Sequence, residues 1–323
     1  MTDLRDLRRL ERWFWRAPSA HNTQPWLLEY GSDRIDLRFD PLRHLEAGDP
    51  TRRDLFLSLG AFVEAVLIAA ASEGIGLEFT HAVDVGAARV GTFSERATLY
   101  ETSFTPADLD RRRTSRLPYR PGRAGENDLA AARAELAPDE RLHELAAREI
   151  APLFTAADRH LFETPPVVRE LRSWLRLTKR DPNYERDGLS YECLALSRLE
   201  AALFGLALRP GVFPIVRALR LHRTFTSSAR AVLDVDGSVL VLEAPDGPPS
   251  DLLAHGRSLL RIWLALSARG LYTHPLSAVI DYAATERELV NRLSLGAERR
   301  LLAVFRAGRS DVPARSNRLV SEG

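Results

Sequence analysis

Two apolar segments of this chain, separated by 196 residues, carry the same pattern of glycines. Gly60–Ile75 begins with a glycine, reaches Gly74 fourteen positions later and continues with an aliphatic residue. Gly256–Leu271 repeats this spacing with Gly270. Because glycine commonly follows the last residue of a helix, each segment predicts an apolar helix with a defined end. The equal spacing favours an internal duplication, although any two amphipathic helices with terminal glycines align to some degree.

The hydropathy pattern predicts an α+β chain in two parts, residues 1–104 and residues 105–323. Apolar residues recur every three to four positions in helices and alternate in strands. The first part is predicted to contain helices at 3–16 and 49–73, with strands at 27–30, 34–39 and within 77–104. The second part is predicted to contain helices at 106–116, 126–137, 139–148, 155–162, 165–178, 189–208, 250–269 and 284–294, with strands at 229–235, 238–244 and 300–306.

The charge balance and the cysteine content restrict the class of protein. Lys plus Arg is 45 and Asp plus Glu is 44, so the net charge is +1. This balance argues against nucleic acid as the main partner, because binding to phosphate backbones needs a basic excess. Lys179 is the only lysine, so a phosphate site must be built from arginine. The single cysteine, Cys193, excludes an intrachain disulfide and fits a reducing cytoplasm; it is interpreted as a packed thiol in a helix, with a nucleophile as the alternative.

The chain shows no targeting or membrane-spanning pattern. Residues 1–12 are charged and lack the apolar core of a signal peptide. No apolar stretch reaches the roughly 18 residues that would span a bilayer. The sequence therefore predicts a soluble, cytoplasmic protein without a membrane partner.

The segment Ala17–Trp26 (APSAHNTQPW) concentrates polar side chains in a short loop. A proline near each end fixes φ and removes a backbone donor, so the segment is neither helix nor central strand. The loop offers a hydroxyl, two amides and an indole, which lie between or beside the prolines. Such a set of groups suits a planar ligand with polar edges. These groups belong to Ser19, Asn22, Gln24 and Trp26. The alternative is a turn in which the serine and asparagine satisfy their own backbone while the indole packs in the core.

The segment Arg112–Arg116 (RRTSR) is a candidate phosphate site. If the predicted helix 106–116 includes it, Arg112 and Arg116 share one face at positions i and i+4. Two guanidinium groups with the Thr114 hydroxyl between them match a phosphate dianion. The alternative is a solvated arginine run in an arginine-rich chain.

Together, the two motifs resemble those of the nitroreductase superfamily, whose members bind FMN. The loop is similar to the P-S-x-x-N-x-Q-P-W loop beside the isoalloxazine ring, and RRTSR is similar to the R-R-S-x-R phosphate motif, with Thr114 in place of serine. The resemblance implies FMN as cofactor and NAD(P)H as electron donor. The residues it places on FMN are Pro18, Ser19, Asn22 and Gln24 in the loop, Arg112 and Thr114 at the phosphate, and Arg116 at the pyrimidine edge.

Two further segments acquire roles from the same resemblance. In the family, a helix ending in Gly-Leu leads to a proline-containing segment that lies on the flavin face. The resemblance implies that Pro275 and Leu276 contact the flavin ring. It also implies that the Ser277 N–H donates a hydrogen bond to flavin N5. Two roles remain open for the neighbouring His274: a proton donor, or a histidine at the surface or at a helix cap. Family members often close the phosphate site with terminal basic residues, a place that Arg315 and Arg318 fit; a solvated tail is the alternative.

The distribution of these motifs implies a fused dimer. In an ordinary nitroreductase homodimer, one subunit supplies R-R-S-x-R and the proline segment while the other supplies the polar loop. This chain carries the loop only in its first part and the other motifs only in its second part. It therefore resembles the Acg-type branch, and it is expected to have two tandem pseudo-repeats with helices packed on antiparallel or mixed sheets, one FMN site per chain, and a monomeric or weakly dimeric state.

The resemblance implies an oxidoreductase that passes hydride from NAD(P)H through FMN to a nitro, quinone or enone-like small molecule. No side-chain catalytic residue and no metal site are expected. One alternative is a protein that sequesters FMN beneath a lid without turnover. Another is a protein that retains the fold and has lost FMN.

Overall fold

The computed structural model describes residues 3–219 and 233–319, and it has the helices and antiparallel sheets of the expected α+β class. The chain forms two compact units, each discontinuous in sequence. The first comprises residues 1–112, 247–264 and 318–323, and the second comprises residues 113–246 and 265–317. The division into halves 1–104 and 105–323, expected from the sequence, stays a prediction.

The first unit contains a four-stranded antiparallel sheet. Its elements are a 3-10 helix at Leu4–Leu10, α1 (Glu11–Phe14), β1 (Trp26–Tyr30), β2 (Arg34–Phe39), α2 (Arg53–Ser72), β3 (Leu77–Asp84), β4 (Arg89–Glu95) and α3 (Pro106–Arg111), with short 3-10 turns at Ala20–Asn22 and Pro41–Arg43. The strand order is β1-β2-β4-β3. The predicted elements of this part are confirmed, except that most of the first helix is 3-10 and the helix predicted over 106–116 ends at Arg111.

The second unit contains another four-stranded antiparallel sheet. Its elements are α4 (Glu126–Arg133), β5 (Arg141–Ala146), α5 (Ala147–Glu163), α6 (Pro165–Ser173), β6 (Leu175–Arg176), β7 (Leu189–Ser190), α7 (Arg198–Ala207), α8 (Phe213–Ala218), β8 (Ser238–Pro245), the end of α9 (Pro249–Ala268), β9 (Tyr272–Pro275), α10 (Ala278–Asp281), α11 (Ala283–Arg292) and β10 (Arg299–Gly308). The strand order is β5-β8-β10-β9. When the four strands of each sheet are counted in chain order, their spatial order across the sheet is first, second, fourth, third in both sheets.

Some predictions for the second unit are wrong. Residues 139–148, predicted as a helix, form the edge strand β5 and the start of α5, because β5 pairs with β8 almost 100 residues later in the chain. The helix predicted at 189–208 is confined to α7. Part of the predicted strand at 229–235 lies outside the described residues, and Leu233–Val235 are not in a strand.

The helix α2 forms the core of the first unit. It is buried from Arg53 to Ala70 except at the partly exposed Asp54, and Trp26 stacks on Phe62 with ring centroids 4.5 Å apart. Contrary to the expectation from sequence, α2 is long and apolar enough to cross a membrane by composition. However, 89% of its most apolar window is buried inside the protein. Its apolar surface is thus used in packing, as in a core helix.

The helices α2 and α9 correspond over their whole length at the 196-residue offset. Each has 20 residues, and each ends with a left-handed glycine, Gly74 at φ 74° and Gly270 at φ 76°. The closing hydrogen bonds also correspond: the residue after each glycine donates to the carbonyl five positions back, and each glycine donates to the carbonyl three positions back. This is the Schellman arrangement, in which glycine adopts the left-handed conformation without steric cost.

Within the first unit, α2 and α9 cross at two glycines. A Cβ on Gly60 would collide with the carbonyl oxygen of Leu253 and lie 2.9 Å from the Gly256 Cα, and a Cβ on Gly256 would collide with the carbonyl of Leu57. Leu57 and Leu253 are themselves 196 residues apart. The contact is therefore reciprocal, as in an interface between two equal partners.

Candidate functional site

The predicted polar loop has an unusual backbone. His21, Asn22 and Gln24 all adopt positive φ, at 48°, 57° and 51°. Non-glycine residues rarely occupy this left-handed region, because the Cβ approaches the following carbonyl, at a cost of roughly 1–2 kcal/mol per residue. Three such residues within four positions mean that the surrounding contacts hold the loop in place, and this type of strain is concentrated at functional sites.

Several hydrogen bonds within the first unit hold this backbone. The Gln24 N–H donates to Ser19 Oγ at 2.9 Å, and the Ala20 N–H donates to Ser58 Oγ at 3.3 Å. The Arg43 guanidinium donates to the Thr23 carbonyl at 2.6 Å. Ser19 therefore serves its own loop, which is the arrangement described by the simple-turn alternative.

Burial divides the loop into two parts. The side chains of Asn22, Gln24 and Trp26 are buried, and Gln24 has no exposed surface. Pro18 and Ser19 are partly exposed. The second part of the loop is thus fixed by packing, and the first part is partly exposed to solvent.

The C-terminal segment is attached to this loop. Arg318 donates from Nε to the Trp15 carbonyl at 2.6 Å and from Nη1 to Asn22 Oδ1 at 2.8 Å. Its Nη2 donates to the carbonyls of Arg16 and Ala17 at 3.2 and 3.3 Å. All three guanidinium nitrogens are therefore engaged within the protein.

Arg112 differs from Arg318 in that most of its guanidinium donors are unmet by the residues that the structure describes. It is only 5% exposed, and its Nε and Nη1 have no hydrogen-bond partner in the described part of the chain. Its Nη2 lies 3.4 Å from the Arg16 carbonyl, and its guanidinium lies over the Trp263 ring, 5.7 Å from the centroid. Burial, reinforced by the positive charge of Arg16, lowers the pKa of Arg112 to about 9. A buried cation with unmet donors beside a second cation is a suitable partner for an anion.

In the second unit Thr114 lies in an isolated β-bridge and Arg116 lies outside any helix, which corrects the helical prediction. Thr114 forms a β-bridge with Thr273, and the Ser115 N–H donates to the Thr273 carbonyl at 3.0 Å. Arg112 and Arg116 therefore do not share a helix face. The chain is extended here because it pairs with β9, a partner that local sequence patterns do not reveal.

Arg116 lies in a cationic part of the second unit. Its Nη1 donates to the Cys193 carbonyl at 3.1 Å. His274 is opposite Arg306 in the β9–β10 ladder and is 8% exposed. Burial and the neighbouring charges of Arg116 and Arg306 hold the pKa of His274 well below its usual range. The imidazole is neutral at physiological pH, and its Nδ1 has no partner among residues 3–219 and 233–319.

The proline segment follows β9. Pro275 is the last residue of the strand and is partly exposed, whereas Leu276 is 1% exposed and packs with Val279 and Ile280 in the core of the second unit. No described residue accepts a hydrogen bond from the Ser277 N–H. The role of the Ser277 N–H stays a prediction, while the Leu276 side chain is used in packing.

The remaining predicted groups occupy separate positions. Arg315 is exposed, and Cys193 is a partly buried free thiol in the turn before α7, not within a helix. Across the described residues, no group of three or more His, Cys, Asp or Glu is placed to hold a metal ion. Sequence reasoning missed Ser58, Arg43 and Trp263. Each is near the loop or Arg112 only through the fold, so no local pattern could have identified them.

Comparison with known proteins adds evidence on the family. No family model matches the sequence. The chain is 22% identical over 296 residues to "Probable NAD(P)H nitroreductase PigM" of Serratia sp. (strain ATCC 39006), covering 86% of this chain and 82% of PigM. It is 25% identical over 298 residues to an uncharacterised protein, MT1398, of Mycobacterium tuberculosis; this match covers 85% of the chain but only 39% of MT1398.

Among solved structures, the FMN-dependent nitroreductase NfnB of Mycobacterium smegmatis, crystallised with NADPH, is 19% identical. The match covers 63% of this chain and 86% of NfnB, with a TM-score of 0.39. The similarity to PigM extends over most of both chains.

Proposed function

We propose that this protein is an FMN-dependent oxidoreductase that takes electrons from NAD(P)H. The name of PigM, a relative over most of the chain, supports this class of activity. Bound FMN would supply the chemistry by accepting and delivering hydride at N5. The proposed electron acceptor is a nitro, quinone or enone-like small molecule.

The observation that carries the proposal is Arg112. A buried guanidinium with two unmet donors is costly unless an anion pairs with it. Phosphate esters are bound by arginine in bidentate geometry, which uses two adjacent donors of the fork. Arg112 is thus suited to the FMN phosphate, the role that the sequence motif predicts.

The other predicted residues are given the following proposed roles. In the first unit, Pro18 and Ser19 are the exposed part of the loop and are proposed to contact the flavin ring, while Asn22 and Gln24 fix the loop. In the second unit, Thr114 and Arg116 are proposed to bind the phosphate and the pyrimidine edge. The Ser277 N–H is proposed to donate to N5, with Pro275 beside the ring and Arg315 near the phosphate.

His274 is not suited to donate a proton in the reaction. His274 is neutral because of its burial and cationic neighbours, and its ring cannot act as an imidazolium acid at neutral pH. The protein would therefore act by orienting the cofactor and by polarising it with fixed donors.

The proposal is tested by FMN titration of the purified apoprotein and by anaerobic addition of NADPH to the loaded protein. We expect a yellow complex whose absorbance near 450 nm bleaches within minutes. Tight binding without bleaching by NADPH or NADH would support the sequestering alternative. A protein that does not take up FMN would overturn the cofactor assignment.

Arg112→Met separates binding from folding. We expect FMN affinity to fall about 10- to 100-fold, because charged hydrogen bonds are lost. The apoprotein should become more stable, since an unpaired buried charge is removed. The control is Arg120→Ala, which removes an exposed arginine paired with Asp311 and should change neither quantity. Lower stability with unchanged FMN affinity would assign Arg112 a structural role.

We also infer that the chain is a fused pseudo-dimer produced by duplication. The support is the common strand order of the two sheets, the matching bounds and caps of α2 and α9, and the reciprocal glycine contact between them. A fused chain needs no second copy, so the protein is expected to be monomeric or weakly dimeric. Sedimentation equilibrium tests this; a tight dimer at nanomolar concentration would contradict it.

A further inference from the structure

We infer that Arg318 is a positioning residue that clamps the polar loop in its left-handed conformation. The inference concerns the geometry of the first unit alone. Its consequence for cofactor binding rests on the proposed function.

The acceptors of Arg318 are three consecutive backbone carbonyls and one side-chain amide oxygen. The carbonyls of Trp15, Arg16 and Ala17 follow the end of α1, where the helix provides no further donors. A guanidinium is a planar fork with five N–H groups, so it can bind several converging oxygens at once. Arg318 joins the end of α1 to the loop, because the same side chain also binds Asn22 Oδ1.

The clamp acts on the strained part of the loop. Asn22, which receives the Nη1 donor, lies between His21 and Gln24 in the run of positive φ values. The next residue of the tail continues the attachment, since the Leu319 N–H donates to Gln24 Oε1 at 2.7 Å. Two of the three left-handed residues are therefore bound directly by the C-terminal segment.

The comparison with Arg112 separates a clamp from a phosphate ligand. The two guanidinium groups approach the same Arg16 carbonyl, so both lie at the same place in the first unit. Arg112 has two nitrogens without partners, whereas each nitrogen of Arg318 already donates to the protein. We therefore assign the anion to Arg112 and the orientation of the loop to Arg318.

The first test uses the protein without FMN. Amide hydrogen exchange is measured at Asn22, Thr23 and Gln24, whose N–H groups close the loop. In Arg318→Ala we expect these amides to exchange about tenfold faster or more, with no change in α5, which serves as the internal reference. Unchanged exchange at the three loop amides would overturn the clamp.

The second test compares FMN affinity in Arg318→Ala, Arg318→Lys and the control Arg120→Ala. A clamp needs the fork, so lysine should behave like alanine, with affinity about tenfold weaker than wild type. A residue acting on phosphate by charge alone would be rescued by lysine, and that rescue would contradict the inference. Unchanged affinity in both variants would also contradict it.

The two proposals fail in different ways. If the wild-type protein does not bind FMN, the proposed function fails, and the exchange experiment still decides the clamp. If Arg318→Ala does not fold, Arg318→Lys and Asn22→Ala provide the milder variants. Under the clamp, Asn22→Ala also accelerates exchange at Gln24, and its effect is not additive with that of Arg318→Lys. Additive effects would indicate that the two residues act independently.

Discussion

The two four-stranded sheets share their strand order but differ in what connects the strands. In the first unit a short turn, Gly31–Asp33, joins β1 to β2, whereas residues 147–237 lie between β5 and β8 in the second. The loop before β1 has three left-handed residues, whereas residues 134–140, before β5, have none. The features that the two regions share are the strand pairing and the close approach of α2 and α9, which are contacts between backbones. The differences lie in the connections, where sites are usually built on a rigid scaffold.

The most severe test of this comparison is the glycine crossing. Gly60→Ala and Gly256→Ala should each reduce the free energy of unfolding by about 3 kcal/mol, because a backbone carbonyl occupies the space of the new methyl group. The reciprocal geometry predicts similar losses for the two variants. Urea unfolding measures both.

The matched control is Gly211→Ala. Nothing lies within 4 Å of a Cβ at this position, and φ is not left-handed. Its stability should remain within about 0.5 kcal/mol of wild type. A large difference between the two crossing variants would break the equivalence of α2 and α9.

A second test removes the main asymmetry between these helices. Glu64 is fully buried in α2 and binds Arg257 at 2.9 Å, Arg261 at 3.3 Å and the Tyr100 hydroxyl at 2.6 Å. Glu64→Leu should cost about 2–3 kcal/mol, since it leaves two partly buried cations without their carboxylate. Denaturant unfolding gives the value.

The residues at the corresponding positions of the other helix, 196 positions away, suggest substitutions that would compensate for Glu64→Leu. Leu260 corresponds to Glu64, and Ala61 and Ala65 correspond to Arg257 and Arg261. The triple variant Glu64→Leu, Arg257→Ala and Arg261→Ala makes the crossing symmetric and apolar, and it should recover at least half of the loss. A triple variant less stable than the single would show that the ion pairs are more than a replaceable contact.

Sequence patterns predicted the parts of the fold that depend on neighbouring residues. α2 and α9 were located closely because an apolar run and a terminal glycine are local signals. β5 was predicted as a helix because Arg141–Ala146 is short and mixed in polarity, and only its pairing with β8 makes it a strand.

The candidate site shows the same limit. The motif residues Arg112 and Asn22 could be named from the sequence, but the roles of their side chains could not. Arg318 binds the loop almost 300 residues away along the chain, and the extended backbone at Thr114 depends on Thr273. Such contacts are properties of the fold and leave no periodicity in the sequence.

A third prediction concerns α5, which the first unit lacks between its first two strands. Asp158 Oδ2 has no hydrogen-bond partner within the described chain, and burial raises the pKa of Asp158 from 3.8 to about 7. The folded state therefore retains a proton that the unfolded chain releases, and stability falls as pH rises from about 4 to 7. Asp158→Asn should stabilise the protein by about 1–2 kcal/mol at pH 8 and flatten this slope.

Thermal unfolding from pH 4 to pH 8 tests this expectation. At pH 4 the variant and the wild type should be nearly equal, because the carboxyl is protonated in the folded protein. An Asp158→Asn variant that is less stable at pH 8 would indicate that the ionised carboxylate has a favourable partner.

The smallest expected effects are at the helix ends. Gly74→Ala and Gly270→Ala place a Cβ at φ 74° and 76°, and each should cost about 1 kcal/mol. Equal values would strengthen the correspondence of the two caps. A Gly270 variant that is clearly worse would point to its contact with the Arg309 guanidinium, 3.0 Å from the new Cβ.

The glycine crossing has a consequence for how this protein can vary. Because Gly60 and Gly256 belong to one chain, their association is intramolecular and does not weaken on dilution, unlike a contact between subunits. A substitution in α2 changes only one of the two crossing helices. In a homodimer, the same substitution would change both helices of the interface. Each helix can therefore change its side chains separately, as Glu64 opposite Arg257 and Arg261 illustrates, provided that the two glycines remain.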